Sequence, residues 1–80
     1  MKLLILKQAK IEGEIEPKVL PLGEFAFNVD EIVMIHSVID KYDCVIKNVC
    51  GIRTKQGEGY YVLGEMKNIV ELIESATWTV

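Results

Sequence analysis

Three features of this 80-residue chain predict an α+β fold, an antiparallel sheet of about four to five strands with one C-terminal amphipathic helix packed on one face. The strand-like run Gly59-Tyr60-Tyr61-Val62-Leu63 stops at Gly64, and the hydrophobic period changes there from two to about 3.6. Beyond the change, Met66, Ile69, Val70 and Ile73 fall at i, i+3, i+4 and i+7, the stripe of a helix that covers a core. Such a stripe needs an apolar layer beneath it, and Ile32 to Ile39 supplies a run that is apolar on both faces.

The elements follow in order. Met1 to Ile11 reads as a first strand, with Leu3 and Ile5 on one face and Leu4 and Leu6 on the other. Gly13 to Gly23 contains Pro17 and Pro21 and reads as a connection, since proline removes a ladder donor and fixes φ. Val19, Leu20 and Leu22 are too apolar for a solvated loop and point to a core cap or a partner contact. Phe25, Phe27 and Val29 alternate with Ala26 and Asn28, as in a half-buried strand. Asn28 to Glu31 brings turn chemistry, and Ile32 to Ile39 reads as a central strand. Asp40 to Asp43 reverses the chain. Cys44 to Thr54 is the next strand, with a bulge expected at Gly51. Lys55 to Gly59 is a hairpin connection, and Tyr60 to Leu63 returns antiparallel. Glu65 lies where the helix dipole favours a negative charge.

Size and charge bound the possibilities. The chain is expected to be a single domain over 1–80. At this length folding hides only about 60% of the unfolded surface, so an added interface would help. Half the residues are apolar, which excludes a disordered chain. Nine basic and twelve acidic residues, well mixed, leave a net charge of −3, which argues against a nucleic-acid footprint. The apolar run at Leu3 to Leu6 ends at Lys7, well short of a signal core or a membrane span, so a soluble, cytoplasmic protein is expected. Cys44 and Cys50 on one strand would stand roughly 20 Å apart. A disulfide needs Cα atoms within about 7 Å, so both are expected to be small buried hydrophobes in a reducing compartment.

No residue combination carries recognisable catalysis. His36 and Ser37 are neighbours on a strand and point to opposite faces, so the imidazole cannot serve the hydroxyl as base. His36, Cys44 and Cys50 lack both a metal-ligand spacing and a fourth ligand, and neither a metal nor a cofactor is expected. Glu12, Glu14 and Glu16 would share one face of an extended segment as a solvated edge. Gly57-Glu58-Gly59 lies between two strands and reads as turn material, not as a phosphate loop. Two surfaces remain as candidates. Trp78, with Leu20 and Leu22, is a possible protein interface, because aromatic side chains bury much area at low entropy cost. Lys47, Arg53, Lys55, Tyr60 and Tyr61 surround one hairpin and could contact phosphates and stack on bases.

The run Phe27 to Ile35, then Cys44-Val45-Ile46, then Gly59 to Glu65 and the helix Met66 to Glu74, resembles the small FlbD-like family of flagellar and swarming-motility proteins. In that family an Asn-x-Asp turn precedes an Ile-x-x-Ile strand, then a hairpin, then a strand leading to a terminal helix. Asn28-x-Asp30 and Ile32-x-x-Ile35 follow this order. The same stretch is similar in outline to the LytTR DNA-binding domain. The resemblance spans residues 25–75 and includes no catalytic motif. This chain differs by its first strand, its proline-containing connection and a longer hairpin segment, and it is shorter and more acidic than a LytTR reader.

The expectation is a non-enzymatic interaction or assembly module, self-associating, an accessory protein of bacterial or phage type. Its rival is a DNA-binding regulator resembling LytTR and using the 53–61 hairpin.

Overall fold

Alternating apolar residues build a long first hairpin, β1 (Leu3–Glu12) paired antiparallel with β2 (Lys18–Asn28). The computed structural model describes residues 2–77, with side-chain surroundings through Ser75. Asn28 accepts the Asp30 amide at 3.1 Å and caps a single 3₁₀ turn, Val29–Glu31, which leads into β3 (Ile32–Ile39). The Asp40 carboxylate then closes the reversal by accepting the amides of Tyr42 at 2.8 Å and Cys44 at 3.0 Å. β4 (Val45–Thr54) pairs with β3 and then with β5 (Gly59–Leu63) in a third hairpin, and α1 (Met66–Thr77) follows. All pairings are antiparallel, and the order across the sheet is β2-β1-β5-β4-β3. The predicted fold class is thus the observed one.

The expected connection over 13–23 is mostly strand. Only 13–17 leaves the ladder, and β2 runs on through Pro21 and Gly23. β2 is an end strand of the sheet, where a proline costs no interior bond. The register also slips there: Gln8 pairs with Gly23 and Ala9 with Pro21, leaving Leu22 as the extra residue of a bulge. Glu14 and Glu16 consequently lie in the bend at the hairpin tip and do not continue the row begun by Glu12, which pairs with Lys10 at 2.7 Å.

β3 is also an end strand, not the central one its composition implied. Its apolar residues serve three environments. Ile32 and Ile35 pack on the helix-side core, Val38 belongs to a cluster on the opposite face, and Val33, Met34 and Ile39 are exposed. Periodicity cannot separate these cases, because an edge residue and a covered residue can both be apolar.

The main core lies between sheet and helix and consists of Leu6, Phe27, Cys50, Ile52, Val62 and Ile69. Phe27 and Tyr60 meet edge-on within it, ring centroids 5.4 Å apart. Ile69 is 3% exposed, and its Cδ1 lies 3.1 Å from where a Cβ on Gly64 would stand. Gly64 (φ 126°) thus both turns the chain into the helix and admits the isoleucine. Val70 and Ile73 are half-buried, whereas Met66, the first residue of the predicted stripe, is exposed. Glu65 precedes the helix, and its carboxylate accepts the Asn48 amide at 3.1 Å, tying α1 to β4. A smaller cluster on the other face joins Ala9, Val38 and Val49, with Ile11 and Val19 of the first hairpin packed against it.

Both thiols are free. Cys50 is fully buried, but Cys44 is exposed in the β3–β4 turn, contrary to expectation, because the chain leaves the sheet there to reverse. Burial, and secondarily the Glu65 charge, push the Cys50 thiol up to about 11. Iodoacetamide at mildly alkaline pH should therefore alkylate Cys44 alone in the folded protein, and both cysteines in urea, read by mass spectrometry. Equal labelling of the two in the folded state would refute the burial of Cys50.

Candidate functional site

Strand alternation divides the sheet into a face covered by α1 and an opposite face, here called the open face, which is covered only in part, by the cluster around Ala9, Val38 and Val49. Cys50 pairs with Val62 and Ile52 with Tyr60, all turned toward the helix. Gly51 pairs with His36 on one side and Tyr61 on the other, and Arg53 pairs with Met34 and Gly59. The open face therefore carries two adjacent rows, His36–Gly51–Tyr61 and Met34–Arg53–Gly59.

Gly51 is where the expected bulge is absent. Its pairing is regular on both sides, and the glycine serves a close approach instead. The His36 ring lies against it: a methyl at Gly51 would overlap the ring's Cε1 and Nε2 and come within 2.9 Å of Nδ1. His36 Nδ1 stands 3.0 Å from the Ser37 carbonyl oxygen, which fixes the ring further. The Ser37 hydroxyl is on the helix side, 3.9 Å from the Met66 sulfur, so histidine and serine do not meet. Sequence reading missed this stack. A strand glycine opposite a large ring was the available signal.

Among the described residues, two recesses open on this face. One, of about 240 Å³, is lined by His36, Arg53, Gly59, Tyr60 and Tyr61. A Cβ on Gly59 would meet nothing within 4 Å, so the missing side chain leaves open space beside Arg53. The other, of about 420 Å³, lies between the tip of the first hairpin and the β3–β4 reversal, with Ile11, Pro17, Val38 and Ile46 among its walls. Tyr61, 42% exposed, borders both.

The residues predicted for nucleic-acid contact are split by the sheet. Arg53 and Tyr61 come together at the smaller recess. Tyr60 packs on Phe27, and its hydroxyl donates to the Glu58 carboxylate at 2.6 Å, which raises the phenol above its usual range. Lys47 and Lys55 are exposed, and neither lines this recess; the Lys55 amide instead donates to Glu31 O at 2.8 Å. Of the predicted interface residues, Leu20 is half-buried and Leu22 is exposed, both on β2. Trp78 lies outside the described residues.

Among the described residues, no group of three His, Cys, Asp or Glu side chains could hold a metal ion, and no helix is long and apolar enough to cross a membrane. Among the described residues, fold and site together define a small α+β domain whose sheet has one helix-covered face, one face covered only in part, and β2 and β3 as its end strands. No family model, curated protein or solved structure matches the chain.

Proposed function

We propose that the chain is a non-enzymatic assembly module of the cytoplasm that pairs with a second copy of itself through the outer edge of β2. The role is that of a bacterial or phage accessory protein, the kind of part a short chain with a small core and a sheet edge to share would serve. One observation carries the reading: β2 is an 11-residue end strand whose outer backbone has no sheet partner among the described residues and whose Leu22 and Phe25 are 50% and 47% exposed. An unpaired edge of that length is a template for strand addition, with main-chain bonds for affinity and apolar side chains for register. A two-fold pairing would let each β2 use the same patch. The separation of His36 from the Ser37 hydroxyl and the burial of Cys50 further support a role without catalysis.

Size-exclusion chromatography with light scattering tests this reading. The wild type should elute with twice the chain mass, and the double variant Leu22→Lys/Phe25→Lys should elute as a monomer with an unchanged circular-dichroism spectrum. A wild type that stays monomeric at the highest soluble concentration would sink the reading.

A second reading, a duplex-DNA regulator using the 53–61 hairpin, is supported by Arg53 and Tyr61 lying together on one face. Tyr60 does not join them there as a stacking surface, because it packs on Phe27.

A further inference from the structure

We propose that the recess lined by His36, Arg53, Gly59 and Tyr61 binds a nucleotide unit, with its phosphate on Arg53 and His36 and its ring on Tyr61. The site goes beyond the assembly reading, and it lies on the open face of β3, β4 and β5, not on the β2 edge.

Charge is the first support. The recess holds a guanidinium and an imidazole, and no carboxylate is among its lining residues. The nearest acidic residue in sequence, Glu58, is engaged by the Tyr60 hydroxyl. Arg53 is exposed, and its guanidinium offers a planar fork of donors suited to phosphate oxygens. His36 adds a second polar group in a fixed position. If its Nδ1 carries the proton given to the Ser37 carbonyl, Nε2 accepts; in the imidazolium form Nε2 donates to an anion.

Shape is the second. Two glycines hollow the face at neighbouring rows. Gly51 lets the His36 ring lie against the strand, and Gly59 leaves an opening beside Arg53. Tyr61 stands at the border of this opening with its ring partly in solvent, where a base can stack. The volume of about 240 Å³ suits a single small unit and not a folded domain. In a duplex the base faces are stacked away, so the unit must be a free nucleotide or part of a single strand.

The probes are a fluorescein-labelled single-stranded thymidine octamer, read by anisotropy at low salt, and adenosine monophosphate, read by calorimetry. At least one should bind, and Arg53→Ala and Tyr61→Leu should each weaken it by about tenfold. Gly59→Leu should abolish binding by filling the recess, and since its Cβ meets open space the fold should persist by circular dichroism. Lys67→Ala, on the exposed helix surface, should change nothing. Binding of the octamer alone assigns a strand as the source, and binding of the mononucleotide assigns a free nucleotide. Three results overturn the site: no binding of either probe, inorganic phosphate displacing the probe as well as adenosine monophosphate does, or affinity unchanged in Gly59→Leu. Tighter binding of a duplex than of the octamer would also overturn it and favour the hairpin reading. The oligomeric state of these variants stays as in the wild type, so failure here is distinct from failure of the assembly reading.

Discussion

Ile69→Asp is expected to unfold the domain. Among the described residues, Ile69 is the one helix residue fully buried against the sheet, 3% exposed among Leu6, Phe27, Cys50, Ile52 and Val62. Removing a buried isoleucine side chain costs about 2–5 kcal/mol, and an unpaired carboxylate in its place adds several more. A domain of this size has a total stability on the order of 5–10 kcal/mol, so the loss is comparable to the whole. The expected readout is a helix and strand signal that has collapsed at room temperature and no cooperative melt. Asn68→Asp, one residue away and exposed, should melt close to the wild type. A normal melt for Ile69→Asp would place the helix elsewhere.

Gly51→Val should destabilise by about 1–3 kcal/mol in the wild-type background, the usual cost of forcing side-chain volume into an occupied site. The occupant is the His36 ring, whose atoms overlap the position of any β-carbon at residue 51. In the His36→Ala background the same substitution should cost nothing or stabilise, because a β-branched residue suits a paired strand better than glycine does. The two substitutions are therefore coupled, and urea unfolding of the four proteins measures the coupling directly. Additive effects would show that the ring does not rest on Gly51, and the recess bounded by His36 would lose its wall.

Local chemistry was readable residue by residue. Gly64 and the stripe beyond it marked the strand-to-helix change, and Asp40 to Asp43 marked a reversal that the Asp40 carboxylate closes. The hairpin at Lys55 to Gly59 was legible because Gly57 (φ 86°) takes a backbone conformation few other residues adopt. Pro21 misled, since its meaning depends on whether its strand is at the edge of the sheet. Met66 belonged to the stripe by spacing but lies on its exposed margin, where the helix begins beyond the edge of the core. Of the hairpin aromatics, Tyr60 and Tyr61 were equivalent by composition. Their order in the strand sends one to Phe27 and the other to the open face.

Fold class, the strand-to-helix change at Gly64 and the burial of Ile69 were determined by the chain's own residues, because they depend on alternation, turn chemistry and spacing within a few positions. Strand order was decided only in three dimensions. β1 inserts beside β5 and leaves β2 and β3 at the edges, a choice made by pairing between segments some fifty residues apart. The contact of His36 with Gly51 and the meeting of Arg53 with Tyr61 come instead from the register of the β3–β4 and β4–β5 hairpins, and the exposure of Cys44 from the reversal between β3 and β4. The period within one strand cannot encode strand order or register, since both depend on which strand lies alongside and at what offset.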